Sequence, residues 1–151
     1  MKITKFGHCC LLIEEKGLRV LTDPGSYSIV PADLLNIDII LITHEHADHF
    51  HLDSLKKVLE DSPQAKIITN KSVGKLLDKE NISYQAVEDG ESTNISGILI
   101  EGFGNDHIEI YKTFNLVQNT GYIIADKLFY PGDAFYDPKK TYEENFERGP
   151  F

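Results

Sequence analysis

Four of the six histidines lie between residues 44 and 51, in the run from Thr43 to His51 (THEHADHFH). Neutral imidazole and carboxylate groups are the ligands that zinc and similar cations take in proteins. If the chain is extended, His44 and His46 point to the same side, and a turn at Asp48 and His49 can aim a second pair inward. Exposed histidines without a function are common, but four histidines this close to one another and to an aspartate favour an interpretation as metal ligands. The run therefore predicts a site for one or two metal ions.

The run directly follows Asp38–Thr43, an apolar, β-branched segment that is typical of a strand buried on both faces. A strand end on a rigid scaffold is a common place for ligands. Two amphipathic helices are predicted, one from Leu52 to Ser62 and one that Asn70 caps. The other predicted elements are strands, at Lys2–Phe6, Cys9–Glu14, Leu18–Thr22, Lys66–Thr69, Tyr84–Val87, Thr93–Ile95, Ile98–Phe103, Ile108–Tyr111, Gly121–Ala125 and Leu128–Tyr130. This order predicts a layered α/β fold in one domain, residues 1–151, with a loose tail at 137–151.

Composition excludes several classes of protein. The 151 residues include 15 Lys and Arg against 24 Asp and Glu, a net charge of -9, which argues against binding to a nucleic-acid backbone. No apolar run approaches the roughly 20 residues that a membrane span needs, so no membrane partner is expected. Cys9 and Cys10 are adjacent and cannot join distant segments, which favours a reducing, cytoplasmic location.

Several segments in chain order resemble one family. The run His44-x-His46-x-Asp48-His49 resembles the hallmark motif of the metallo-β-lactamase-fold superfamily of metal-dependent hydrolases. Leu21–Gly25 resembles its strand-ending aspartate motif, Gly104–His107 lies where the family places its next histidine, and Tyr130–Asp133 resembles its Gly-Asp motif. Phe6–Cys10 is similar to the branch that includes ascorbate-phosphate lactonase-like proteins. The resemblance implies an αββα sandwich.

The resemblance implies a first metal bound by His44, His46 and His107. Three neutral imidazoles leave a coordination position open for water, whose pKa the metal lowers toward 7. Zinc is the expected metal, and manganese, iron or nickel are alternatives because imidazole-rich sites accept all of them.

A second metal is implied at Asp48 and His49, with Asp133 bridging the two ions. A second cation and a bridging carboxylate would stabilise the negative charge that develops during hydrolysis. Asp48 is also the expected catalytic residue, because its carboxyl group could orient the water or protonate a leaving group.

Three further residues are candidates for contact with substrate or for support of the ligands. His8 lines the pocket or is a hydrogen-bonded structural histidine, and both interpretations remain open. Asp23 accepts a hydrogen bond from a ligating imidazole or caps a turn. His51 lies just past the motif, at a helix start, and is a surface residue or supports a ligand.

Members of this superfamily continue beyond the Gly-Asp motif and add a last histidine ligand, whereas this sequence ends at Phe151 with no histidine after His107. We therefore expect a sandwich that is incomplete at its C-terminus. Three explanations remain open: a shortened gene product, a site that binds one metal at the three histidines, or a homodimer in which a second subunit supplies the missing edge. The predicted function is hydrolysis of a small ester, lactone or phosphodiester by a metal-activated water. The alternative is a metal-binding protein with impaired catalysis that acts by self-association or ligand binding.

Overall fold

Two β-sheets and two helices make up the described part of the chain, which is residues 1–107 and 117–134 of a computed structural model. The helices are α1 (Leu52–Asp61) and α2 (Lys71–Lys79). The strands are β1 (Lys2–Lys5), β2 (Leu11–Glu15), β3 (Leu18–Thr22), β4 (Ile39–Ile42), β5 (Lys66–Thr69), β6 (Gln85–Ala86), β7 (Ser92–Ile95), β8 (Ile98–Phe103), β9 (Gly121–Ile124) and β10 (Leu128–Tyr130).

The first sheet has the order β1-β2-β3-β4-β5-β6. Its first three strands form antiparallel hairpins, and the strands from β3 to β6 pair in parallel. The second sheet has the order β10-β9-β8-β7 and is antiparallel throughout. Because β3, β4 and β5 are parallel, their carboxyl ends meet at one edge, where the loops with polar side chains begin.

Strand β4 shows how the layers pack. Side chains alternate along a strand, so Ile39 and Leu41 join the core between the two sheets, whereas Ile40 and Ile42 join the core beneath the helices. All four are fully buried. The prediction of a strand buried on both faces is therefore confirmed, and the described layers run helix, sheet, sheet.

Both described helices cover the first sheet. Helix α1 buries Leu55 and Val58, and α2 buries Val73 and Leu77. The side chain of Asn70 caps α2 as predicted, since its Oδ1 accepts a hydrogen bond of 3.0 Å from the Val73 N–H. Neither of these helices is long and apolar enough to cross a membrane.

The predicted layered α/β arrangement is confirmed, with strand boundaries that differ by a few residues. Strand β2 begins at Leu11 and not at Cys9, because Phe6 N–H bonds the Cys10 carbonyl at 2.8 Å and closes the hairpin there. The strand predicted at 108–111 and the tail predicted at 137–151 lie outside the described residues.

Candidate metal centre

Loops from both sheets deliver the predicted ligands to one place. Asp23 directly follows β3, and His44 follows β4 after one residue. From the second sheet, His107 follows β8 and Asp133 follows β10. The site therefore lies where the carboxyl ends of the central parallel strands face the loops of the second sheet.

The loop after β3 packs backbone to backbone against the histidine loop. Ser26 N–H bonds the Ala47 carbonyl at 2.8 Å. A Cβ atom on Gly25 would lie 1.8 Å from the carbonyl oxygen of Asp48, so only glycine fits there. This contact between the two loops fixes the backbone position of Asp48 and its neighbours.

His44, His46 and His107 form a cluster of imidazoles. Their candidate ligand atoms all lie within 4.8 Å of one another, and the ring centroids are 4.6 to 4.8 Å apart. His44 is fully buried, and its Nε2 has no hydrogen-bond partner among the described residues. A buried nitrogen without a partner is costly, and a cation bound by the three rings would satisfy it.

Asp133 lies between this cluster and His49. Its Oδ2 is 3.3 Å from His107 Nε2 and 4.0 Å from His44 Nε2, whereas its Oδ1 is 3.2 Å from His49 Nε2. His44, His49 and Asp133 thus form a second group whose candidate ligand atoms lie within 4.8 Å of one another. The two oxygens of one carboxylate face two sets of nitrogens, an arrangement that suits a bridging ligand.

Asp23 orients two of the imidazoles. Thr43 Oγ1 and His49 Nδ1 lie 2.8 and 2.7 Å from Asp23 Oδ2. Because an ionised carboxylate only accepts hydrogen bonds, His49 carries its proton on Nδ1, and Nε2 faces Asp133. Thr43 gives its one hydroxyl proton to Asp23, so Thr43 Oγ1 accepts from His44 Nδ1 at 3.0 Å. His44 then presents the lone pair of Nε2 to the cluster, as a metal ligand must.

The charges around the site favour a cation. Burial of His49 would lower its pKa, but hydrogen bonds to Asp133 and Asp23 raise that pKa to about 12. Hydrogen bonding to His49 in turn holds the pKa of Asp133 well below its usual range. His49 is therefore protonated at pH 7 while no metal is bound, and a cation at this position would replace the proton on its Nε2.

In the imidazole cluster the pKa values are lowered and not raised. Burial lowers the pKa of His44 to about 2, and burial also lowers the pKa of His46. Both rings are consequently neutral at pH 7. A neutral imidazole is the form that binds a metal, so this cluster needs no loss of protons from these two rings for a cation to bind.

Of the other predicted residues, the structure brings two to the site and leaves one outside. Asp48 Oδ2 lies 3.8 Å from His49 Nε2 and 3.1 Å from His8 Nε2. His51 Nδ1 instead lies 2.9 Å from Ser54 Oγ at the start of α1. Among the described residues, His51 belongs to none of the groups with ligand spacing.

Residues 2–149 match the family described as the beta-lactamase superfamily domain. The chain belongs to this superfamily. A UPF0173 protein of Pyrococcus abyssi is 32% identical over 141 residues, which cover 91% of this chain and 62% of the relative. A UPF0173 metal-dependent hydrolase of Staphylococcus saprophyticus is 29% identical over 126 residues, covering 80% and 52%. The resemblance in the sequence is thereby confirmed.

Solved structures of metal-dependent hydrolases have a fold similar to that of this chain. The crystal structure of a candidate metal-dependent hydrolase from Parabacteroides distasonis has a TM-score of 0.70 at 26% identity, covering 86% of this chain and 59% of that one. A metallo hydrolase from Ignicoccus hospitalis has a TM-score of 0.66 at 23% identity, with coverages of 86% and 59%, and shows the fold alone. The chain thus spans less than two thirds of the length of these relatives.

Two residues that support the candidate centre were not predicted. Thr43 connects Asp23 to His44, and its position directly before the histidine motif was the available signal. Asn119 was not singled out, and no local pattern marks it. Its Oδ1 accepts from Asp133 N–H at 3.0 Å and its Nδ2 donates to the Pro131 carbonyl at 2.9 Å, which fixes the turn that carries Asp133.

Gly132, in that turn, has no room for a side chain. It has a φ of +60°, and a Cβ there would lie 2.4 Å from Asn119 Oδ1 and 2.7 Å from Thr43 Oγ1. We expect Gly132→Ala to lower the free energy of unfolding by more than the ~1–2 kcal/mol cost of the left-handed backbone alone. Urea denaturation would measure this loss.

Gly17→Ala is the matched control, because Gly17 has a φ of +80° but no atom within 4 Å of its added Cβ. Gly17→Ala should lose only the unfolding free energy that the left-handed backbone costs, because its added Cβ meets no neighbouring atom. Equal losses in the two variants would mean that the turn around Asp133 is not tightly packed.

Proposed function

We propose that this chain forms the metal centre of a hydrolase that cleaves a small ester, lactone or phosphodiester. The carrying observation is the cluster of His44, His46 and His107, in which Nε2 of the buried His44 has no hydrogen-bond partner among the described residues. The relatives named above as metal-dependent hydrolases support the reaction class.

The donor set fits one or two divalent cations. His44, His46 and His107 would hold the first, Asp48 and His49 would serve the second, and Asp133 would contact both. We propose zinc, since imidazole and carboxylate ligands at these spacings suit it, with manganese, iron or nickel as alternatives. When bound, such a cation is a Lewis acid that lowers the pKa of a coordinated water toward 7.

Asp23 and Asp48 have different roles in the proposed reaction. Asp23 holds the rings of His44 and His49 in the orientation that ligation needs, through the hydrogen bonds described above. Asp48 is partly exposed, with 28% of its side chain accessible, so its carboxyl group can meet both a water molecule and a substrate. We assign to Asp48 the orientation of the water or, after it has taken a proton from that water, the protonation of the leaving group.

We propose a small-molecule substrate and a cytoplasmic location. The acidic charge favours a small molecule over a nucleic acid. A cytoplasmic location is supported by Cys9 and Cys10, which are both free thiols. The homodimer stays a prediction.

A turnover screen tests the proposed function. Protein that has been treated with EDTA and then dialysed would be assayed on lactones, carboxylic esters and phosphodiesters, with and without added Zn²⁺, Mn²⁺, Fe²⁺ or Ni²⁺. We expect hydrolysis of one class, dependent on added metal. Metal binding without turnover on any class would instead support the binding protein with impaired catalysis, and absence of metal binding would contradict both.

A further inference from the structure

A third group with ligand spacing lies on the outer side of the candidate centre. It contains His8, Cys9 and His49, whose candidate ligand atoms are within 4.8 Å of one another. His8 comes from the hairpin between β1 and β2, a part of the chain that the histidine motif does not include. This group extends the centre beyond the residues already described.

The distances place His8 beside the position for the second cation. His8 Nε2 lies 3.1 Å from Asp48 Oδ2. His49 Nε2 lies 3.8 Å from the same Asp48 oxygen and 3.2 Å from Asp133 Oδ1. Ligands about 2.1 Å from a tetrahedral metal lie about 3.4 Å from one another. Each of these three separations is compatible with two ligands of one ion, and the groups with ligand spacing join His8 to His49 and His49 to Asp133.

The hairpin is held in place by its own backbone. Gly7 has a φ of +90° and pairs with Ser28, and a Cβ on Gly7 would lie 2.8 Å from the Tyr27 carbonyl oxygen. His8 N–H bonds that same carbonyl at 3.4 Å, and the His8 ring meets the Tyr27 ring edge-on at 5.9 Å. His8 is thus positioned by the fold and not by its bond to Asp48 alone.

Cys9 has a different part in this group. Its thiol donates a hydrogen bond of 3.0 Å to the backbone carbonyl of Asp48, so the sulfur holds the histidine loop. Of the two hairpin residues, His8 is the one whose polar atom faces the Asp48 carboxylate, and its side chain is 49% exposed. That side of the group is therefore open to ions from solvent.

We propose that His8 is a ligand of the second cation, together with Asp48, His49 and Asp133. This inference rests on the proposed function, because it assumes that the second position binds a metal. It assigns the first hairpin of the chain to the metal centre. The alternative is that His8 only holds the Asp48 carboxylate by a hydrogen bond.

The test counts bound Zn²⁺ in the EDTA-treated protein by calorimetric titration and by elemental analysis. We expect two equivalents for the wild type and one for His8→Gln, since glutamine keeps an N–H for Asp48 but is a poor zinc ligand. The control His51→Gln changes a histidine outside the groups with ligand spacing, and it should keep two equivalents.

A measurement on the wild type makes the test independent of whether the variant folds. Modification of His8 by diethyl pyrocarbonate, followed by peptide mass spectrometry, should fall when the second equivalent of Zn²⁺ is added, and modification of His51 should not. Two equivalents in a folded His8→Gln, or no protection of His8, would overturn the inference. A wild type that binds one equivalent would overturn it and leave the proposed function standing, whereas a wild type that binds none would contradict both.

Discussion

His46→Ala should abolish metal binding at the three-imidazole cluster and, under the proposed function, reduce hydrolysis to the level of EDTA-treated protein. The change removes one of three nitrogens that lie within 4.8 Å of one another. Loss of a ligand itself should lower metal affinity by more than the roughly 10–100-fold that loss of a supporting partner costs. Titration with Zn²⁺ and elemental analysis of the variant would measure the effect.

His46 suits this experiment because its side chain is only partly buried, so alanine leaves no large cavity. The control is His51→Ala, which removes an imidazole that bonds Ser54 at the start of α1. Circular dichroism should show both variants folded. Unchanged zinc content in His46→Ala would refute the assignment of the cluster as a metal site.

Asp23→Asn should lower both the stability of the fold and the affinity of the metal centre for zinc, although the side chains of aspartate and asparagine have the same shape. Asp23 and His49 form a buried pair, with 0% and 2% of their side chains exposed. Thr43 Oγ1 and His49 Nδ1 donate to Asp23 Oδ2, and Thr43 N–H donates to Oδ1. The Tyr130 hydroxyl shares its one proton between Oδ2 and the Cys9 carbonyl. Whichever way an asparagine amide turns, its NH₂ group meets a donor.

The expected loss of unfolding free energy in Asp23→Asn is about 3–5 kcal/mol, the usual cost of breaking a buried charged pair. Zinc affinity should also fall roughly 10–100-fold, because His44 and His49 lose their fixed orientation. Urea denaturation and zinc titration would measure the two effects. Asp53→Asn, at an exposed position in the first turn of α1, should cost at most about 1 kcal/mol through the helix dipole and leave zinc affinity unchanged. An Asp23→Asn protein as stable as the wild type would contradict this role.

Much of the fold could be predicted from local patterns. The apolar run around β4, the helical spacing of Leu55 and Val58, and the cap at Asn70 each reflect a property of neighbouring residues. The predicted start of β2 at Cys9 was wrong because a backbone hydrogen bond closes the hairpin between Phe6 and Cys10. Such a turn depends on backbone geometry that the side chains of those residues do not reveal.

The sequence by itself determined which residues are candidates for metal binding, because the ligand types and their spacing from His44 to His49 are local features of the chain. Only the tertiary structure decided how they are oriented. Asp23 fixes His49 directly and His44 through Thr43, and the first hairpin brings His8 to Asp48. Asp23 and His49 are distant in sequence and meet because the parallel strands β3 and β4 end at one edge of the sheet. His8 reaches the same edge because β2, which is antiparallel to β3, begins there.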